Sequence, residues 1–385
     1  MKKKEKILVA MSGGVDSSVA AALLLKQGYD VTGMFAVNYN ANIRMDANET
    51  NSECWVSDYR DAVRVAAKLG IKLIKLDFQK EYKKLVSDYM FKEYRTGRTP
   101  NPDVMCNKFI KFGVWLRAAK RLGYAKLATG HYAYAKETRN KKQTNLKYPI
   151  SNIQYYLTQA EDKNKDQTYF LHQLSQEQLQ QVLFPLGGYR KSEVRKLARE
   201  FNLPTAEKEE SMGICFIGEV PMEKFLLTKI RSKSGKIVFS DGGVVGEHKG
   251  LAFYTIGQRH FGLRTYDIGR KIDNEPLYVV EKNIKKNELV VGREDDALLY
   301  KKEVKIGKVH WIAGQPPKFP LKCMVRLRHR QPLQKCVITS PLHHFTTASL
   351  VIRFDKPQRA VTPGQFAVFY KDEECLGGGV IEMKI

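Results

Sequence analysis

The chain contains no run of about 18 apolar residues, the length a helix needs to cross a membrane. None of its six cysteines, Cys54, Cys106, Cys215, Cys323, Cys336 and Cys375, forms a C-x-x-C pair with another. The first absence excludes a membrane-spanning helix, and the second argues against a zinc ribbon or a cysteine-held cluster. Acid is short relative to base: 41 Asp and Glu stand against 65 Lys and Arg, a formal net charge of +24. Lysine also solvates ordinary surface, yet an excess this large favours a polyanionic partner, with nucleic acid ahead of membrane. There are no internal repeats and no tail of disordered texture. Met1-Lys2-Lys3-Lys4-Glu5 leads directly into a strand-like stretch with no room for a targeting leader, which reads as a cytoplasmic protein. Stable structural disulfides are not expected in that compartment, so a cysteine pair that matters is expected to be catalytic.

What is present is enough chain for two or three domains: 385 residues, 43% hydrophobic. From Lys6 to Thr129 strand and helix signals alternate, which implies a parallel sheet covered on both faces. Tyr132 to Gln159 reads as a hairpin with a basic, Asn-rich tip, and Gln167 to Asn202 returns to helices, one from Ser192 to Glu200 with Ser192 as its cap. Beyond Gly235 short strands alternate with glycine and proline turns. Period-2 runs at Met324 to Arg330, Cys336 to Thr339, Leu350 to Phe354 and Phe366 to Tyr370 read as a closed or nearly closed β module. The expected fold class is α/β plus β. A doubly wound parallel-sheet domain spans 1–220, a small central β domain 221–297, and a barrel-like domain 298–385.

The most informative segment is Ser12-Gly13-Gly14-Val15-Asp16-Ser17. It lies between the apolar strand Lys6 to Met11 and an Ala- and Leu-rich helix that Gly28 stops. Two glycines let backbone N–H groups approach an anion, and the helix N-terminus adds unpaired N–H groups and partial positive charge. Ser12 and Ser17 add hydroxyls, and Asp16 can help hold a Mg²⁺ carried by phosphates. The lysine of the G-x-x-x-x-G-K-[ST] loop is missing. The plainer reading is a glycine-rich turn without a ligand. The hexapeptide resembles the pyrophosphate loop of the N-type ATP pyrophosphatases, which cleave ATP between the α and β phosphates and adenylate an oxygen of a second substrate.

Two cysteines stand in unusual settings. Cys106 ends Thr99-Pro100-Asn101-Pro102-Asp103-Val104-Met105-Cys106 and is expected just ahead of a helix over Asn107 to Leu122. There a thiolate is stabilised by the helix dipole and by Lys108 and Lys111. Asp103 can reach over the same turn as a proton carrier. Cys215 lies in Met212-Gly213-Ile214-Cys215-Phe216-Ile217-Gly218, whose glycines suit a mobile loop. Most free cysteines are small buried hydrophobes, and that reading stands beside the catalytic one.

With these segments in hand, the chain resembles the tRNA-specific 2-thiouridylase family over nearly its whole length. The resemblance is carried by Ala10 to Ser18, Asn101-Pro102-Asp103 with Cys106-Asn107-Lys108, Ala128 to Tyr132, Lys163 to Phe170, Gly213 to Gly218, Tyr254 to Arg259 and Pro363-Gly364-Gln365. It implies that Ala10, Met11, Ser12, Gly13, Gly14, Val15, Asp16, Ser17, Ala36 and Gly130 meet ATP. Family members often carry methionine where Ala36 stands, so the adenine contact there would fall to backbone atoms. It implies Cys106 as nucleophile, Cys215 as persulfide carrier and Asp103 as acid/base. Asn101, Pro102 and Asp103 would meet the target base. His131, Lys165, Asp166, Gln167, Arg328, His329 and Gln365 would contact tRNA. The implied cofactors are ATP and Mg²⁺, with no resident metal. The implied partners are tRNA and a sulfur-donor protein or cysteine desulfurase, with no membrane, for a monomer. The Asn-rich insertion 38–52 receives no role.

The chemistry asks for these parts together. A uracil C2 oxygen is a poor leaving group until adenylated, and the expelled pyrophosphate needs the N–H cradle. Sulfur carried as a persulfide on Cys215 can be released by Cys106 with formation of a transient disulfide. Period-2 geometry would put Arg326, Arg328 and Arg330 on one strand face, toward RNA phosphates or simply toward solvent. Two alternatives remain: another adenylating ligase or amidotransferase, which needs no cysteine pair, and a tRNA-binding module that keeps the loop as a remnant.

Overall fold

The computed structural model describes residues 4–39, 55–139, 153–210, 222–259, 276–340 and 349–382. Its first sheet has five parallel strands: β1 (Lys6–Ala10), β2 (Asp30–Val37), β3 (Leu73–Asp77), β4 (Lys126–Ala128) and, past an intervening hairpin, a two-residue strand at Val182–Leu183, in the order β3-β2-β1-β4 and then Val182–Leu183. Ile7, Leu8 and Val9 of β1 are wholly buried, as a strand covered on both faces requires. Leu8 packs in one core with Met34, Ile110 and Trp115, whereas Ile7 and Val9 pack in another with Val19, Leu23 and Val65. Strand alternation thus feeds two helical layers, and the expected doubly wound sheet is observed.

The hairpin is β5 (Ala133–Arg139) with β6 (Ile153–Gln159), paired from Ala133–Gln159 to Arg139–Ile153. Its expected Asn-rich tip, like most of the Asn-rich insertion, lies outside the described residues. Counting the Val182–Leu183 strand as β7, the central sheet holds β8 (Gly235–Phe239), β9 (Val244–His248), β10 (Tyr278–Asn283) and β11 (Glu288–Gly292) in the order β10-β11-β8-β9.

The last region supplies β12 (Tyr300–Trp311), β13 (Leu321–Arg326), β14 (Gln334–Thr339), β15 (Ser349–Arg359), β16 (Phe366–Lys371) and β17 (Glu374–Ile381). They run β12-β15-β14-β13-β16-β17, and β12 also pairs with β17, so the six strands close into a barrel. Closure removes both sheet edges. β17 pairs in addition with β6 through Thr158 and Leu157, so the hairpin joins the barrel sheet. Along β16, Ala367 and Phe369 face the barrel interior, and Phe366, Val368 and Tyr370 enter the core of the first domain. That continuous burial seats the barrel against the parallel-sheet domain.

Three local expectations are corrected. The strand expected to reach Arg330 ends at Arg326; residues 327–333 form the turn into β14, and Arg330 has φ +64. Arg326, Arg328 and Arg330 therefore share no strand face. The helix at Lys191–Glu200 is capped by Arg190, whose N–H donates to the Glu193 carboxylate at 2.7 Å, and Ser192 lies inside it. The helix carrying Cys106 begins at Pro102, with Asn101 as N-cap accepting from the Val104 N–H at 3.2 Å. Proline at the first helical position loses no hydrogen bond, because that N–H is unpaired anyway.

Candidate functional site

The Ser12–Ser17 turn sits at the carboxyl end of β1, the rim where α/β sheets collect ligands. The Met11 N–H still donates to the Met34 carbonyl (2.8 Å), and the chain then leaves the sheet. Gly14, with extended backbone, precedes the Val15–Lys26 helix and offers no side-chain cap, so the first N–H groups of that helix remain open to a ligand. Gly13 has φ +75, and a Cβ there would strike the Asp58 backbone. A Cβ on Gly130, at the end of β4, would stand 2.9 Å from the Asp16 carbonyl carbon and the Ser17 nitrogen. The ends of β1 and β4 thus pack closely enough that neither Gly13 nor Gly130 has room for a methyl group. Ser17 braces the turn: its Oγ accepts from the Ser12 N–H and contacts the Gly14 carbonyl, both at 3.2 Å. Ala10 closes β1, Val15 is buried in the core, and Ala36 lies near the end of β2 with its carbonyl accepting from Asn38 Nδ2.

Two lysines from distant segments stand beside the loop. Lys191 Nζ lies 2.6 Å from Asp16 Oδ1, which also accepts from the Tyr132 hydroxyl at 2.9 Å. Lys208 Nζ donates to the Gly13 carbonyl at 3.1 Å and pairs with Asp58 and Asp61, each at 2.7 Å. Burial opposes the Lys208 ammonium, but the two carboxylates outweigh it and raise its pKa. Burial and the Asp16 carboxylate push the Tyr132 phenol far up, so it stays a donor. Glu210 joins Lys165 (2.6 Å) and Lys191 (3.2 Å), and hydrogen bonding to Lys165, with Lys191, pulls its carboxyl down to about 2. Tyr132 ends the Ala128 to Tyr132 motif, but Lys191 and Lys208 follow Ser12 by too many residues for any spacing rule to connect them. Their one local signal is the start of a helix near Lys191.

Cys106 is fully buried beside Val104, Met105 and Ile110. The expectation that it sits just ahead of a helix N-terminus is overturned: it is the fifth helical residue after the cap Asn101, beyond the four open N–H groups. From Cys106 to Trp115 the helix is wound in the wide π register, a form frequently found at functional sites. Asp103 stands three residues before Cys106, a neighbour on one helix face, and is half-buried. Lys108 turns to Gln173 Oε1 at 2.9 Å, and burial lowers its pKa. Cys215 lies outside the described residues. The chain enters its segment from Glu210, the residue tied through Lys191 to Asp16.

The residues expected to touch tRNA divide. Asn101 and Gln365 are brought together, Nδ2 to Oε1 at 3.2 Å, and Pro102 follows as the first helical residue. Lys165 remains partly exposed in its pair with Glu210. Of the others, His131 and Asp166 are buried, while Gln167, Arg328 and His329 are half-buried. The Asp166 carboxylate is buried, accepting from Arg326 Nη1 (2.9 Å) and Thr168 Oγ1 (2.8 Å). His131 is buried against Thr129 Oγ1 at 2.7 Å, and burial, with Lys111 nearby, holds it well below the usual imidazole range. Gln167 Oε1 accepts from the Tyr132 N–H (2.9 Å), so it positions the residue that binds Asp16. Arg328 Nη2 donates to the carbonyls of Ile256 and Ala360, each at 2.8 Å, joining the central domain to the barrel. The His329 ring packs 4.4 Å from that of Phe170. The side chains of Asp166 and His131 are thus occupied internally, as buried polar groups need to be.

Among the described residues no three His, Cys, Asp or Glu side chains cluster to hold a metal, and no helix is long and apolar enough to cross a membrane. Three family models match in succession: a tRNA methyl transferase HUP domain over 5–219, a tRNA methyl transferase PRC-barrel domain over 223–293 and an aminomethyltransferase beta-barrel domain over 301–381. The chain is 44% identical to a tRNA-specific 2-thiouridylase MnmA of Streptococcus sanguinis across 98% of this chain and 95% of that protein. It is 42% identical to the MnmA 2 of Geobacillus kaustophilus (98% and 94%) and 44% to the MnmA of Streptococcus uberis (99% and 96%).

Proposed function

The chain belongs to the tRNA-specific 2-thiouridylase family, and on that premise we propose that it transfers sulfur to C2 of the wobble uridine of tRNA at the expense of ATP. ATP is supported at the cradle of Ser12, Gly13, Gly14 and Gly130, where backbone N–H groups receive phosphate and Lys191 and Lys208 supply the cations the loop itself lacks. When bound, ATP supplies the adenylate that makes the uracil C2 oxygen a leaving group. Mg²⁺ would arrive on the phosphates with Asp16 as its nearest carboxylate, in keeping with an ion that binds through one or two carboxylates plus substrate oxygens.

Sulfur delivery falls to Cys215 and Cys106. The outer sulfur of a Cys215 persulfide goes to uridine C2 as AMP leaves, and the Cys106 thiolate takes the inner sulfur, forming a Cys106–Cys215 disulfide that an external thiol reduces. Asp103, one helical turn from Cys106, is the proton carrier. The observation that carries this reading is the tie from Glu210 through Lys191 to Asp16. Cys215 is five residues beyond Glu210, a reach of at most about 18 Å. Cys106 is buried, so the cycle includes a step that uncovers it. A relay protein or a cysteine desulfurase is the proposed donor, and the proposed setting is a monomer in the reducing cytoplasm.

The test incubates the purified chain with unmodified tRNA, ATP, Mg²⁺ and a cysteine desulfurase, then measures nucleosides by mass. The expected product carries sulfur in place of one uridine oxygen, with AMP and pyrophosphate released, and both Cys106→Ser and Cys215→Ser abolish it. An added methyl group, or full product from either serine variant, would overturn the proposal.

A further inference from the structure

The barrel carries a second pair of thiols, far along the chain from the first and unrelated to the loop. Cys323 on β13 and Cys336 on β14 are direct partners in an antiparallel ladder, and their Sγ atoms lie 3.6 Å apart. Opposed residues in such a ladder have Cα atoms about 4.5–5.5 Å apart, inside the range of about 4.4–6.8 Å that a disulfide spans. Closing the bond therefore asks for side-chain rotation and no movement of either strand. The two thiols differ in access. Cys336 is buried in the barrel core with Ile338, Ile352 and Phe354, while Cys323 is partly exposed at its margin. An incoming reagent meets Cys323 first, with Cys336 already in contact behind it. That is the arrangement of an attacking thiol backed by a resolving one.

We propose that Cys323 and Cys336 form a second redox-active dithiol, separate from the sulfur-transfer cysteines, whose substrates are low-molecular-weight disulfides. The Cys323 thiolate attacks such a disulfide, forming a mixed disulfide and expelling one small thiol. Cys336, passing its proton to the small thiolate just expelled, then attacks the Cys323 sulfur and expels the second small thiol. Two cysteine thiols are oxidised and one small disulfide is reduced to two thiols, so atoms and electrons balance. The bond links β13 to β14 across the turn that carries Arg328, which braces the central domain, and His329, which packs on Phe170. Oxidation therefore closes a covalent loop around that turn.

The full-length chain, wild type and the Cys106→Ser/Cys215→Ser double variant, is incubated with glutathione disulfide, alkylated and mapped by mass without reduction. The expected result in both is a cross-linked pair of peptides containing Cys323 and Cys336, lighter by two hydrogens than the two reduced peptides and released by dithiothreitol. Cys323→Ser, at the more accessible position, removes the cross-link and leaves Cys336 alkylatable only after unfolding. Full alkylation of both thiols when the oxidant-treated chain is unfolded in the alkylating agent would overturn the proposal. So would a Cys323–glutathione adduct that persists with Cys336 reduced. Neither outcome bears on uridine thiolation, which is read from the nucleoside.

Discussion

Gln365 holds Asn101 in place from 264 residues away: its Oε1 accepts from Asn101 Nδ2 at 3.2 Å. Its Nε2 donates to the carbonyls of Thr99 and Pro100 at 2.9 and 3.0 Å. The other side-chain atom of Asn101 caps the helix that carries Asp103 and Cys106. A barrel loop thereby sets the register of the proposed catalytic helix. Gln365→Ala should lower kcat/KM for thiolation by about 10- to 100-fold, the scale of a small misplacement, and leave ATP binding near normal. Steady-state kinetics beside nucleotide titration would check it, and an equal loss in both would refute the brace.

Gly130 packs its Cα against the start of the Val15–Lys26 helix, where a methyl group on that Cα would lie 2.9 Å from the Ser17 nitrogen. Gly130→Ala must push the loop away, because backbone on the opposing side cannot rotate aside. ATP affinity should fall at least about tenfold, a cost of roughly 1.4 kcal/mol, while the unfolding midpoint changes little. Calorimetric titration with a non-hydrolysable nucleotide measures the first, and urea denaturation the second.

Lys191→Met tests whether a distant cation completes the cradle. It removes the ammonium from Asp16 and from Glu210 at once. KM for ATP should rise by about 10-fold or more, and Lys191→Arg should restore part of the loss because charge is kept and geometry is not. An unchanged KM would assign Lys191 to the local fold alone.

Two buried histidines give an acid limit. Burial pushes the His172 imidazole down to about 3 and holds His131 well below its ordinary value. In the unfolded chain both titrate near about 6.5. Below that pH the unfolded state binds protons that the folded state refuses, so stability is complete above about 6.5 and declines as pH falls, by up to about 1.4 kcal/mol per pH unit for each. Urea midpoints between pH 7 and pH 4.5 should fall steadily. His172→Leu should flatten the slope by about one proton.

Much of the fold, with the glycine turn at the rim of the parallel sheet, is legible in the sequence because it rests on local pattern. The apolar run of β1, the glycine turn after it and the period-2 strands of the barrel each report their own structure. What escapes is set by contacts between distant segments. Nothing at Pro102 announces that Asn101 caps a helix there unless proline's tolerance at the first position is weighed. Nothing near Lys191 or Lys208 points to Ser12. The alternation of Arg326, Arg328 and Arg330 is real in the sequence, but a turn follows Arg326 and the alternation has no strand to act on.

Arg326 separates the two readings of that basic run. Its guanidinium pairs with Asp166 at 2.9 Å, the acid having no exposed side-chain surface and the arginine about a tenth. If Arg326 served RNA phosphates, Arg326→Met would weaken tRNA binding and reduce its salt dependence by about one phosphate contact. In its observed position the substitution instead leaves Asp166 as a buried charge without its cation, next to Thr168, Gln159 and Tyr370. Breaking one side of such a pair costs about 3–5 kcal/mol. The expected outcome is a large fall in the urea midpoint, with the salt slope of tRNA binding by the folded fraction unchanged. Arg326→Met combined with Asp166→Asn should recover much of the stability, because the orphaned charge is gone. A reduced salt slope at undiminished stability would return Arg326 to the RNA surface.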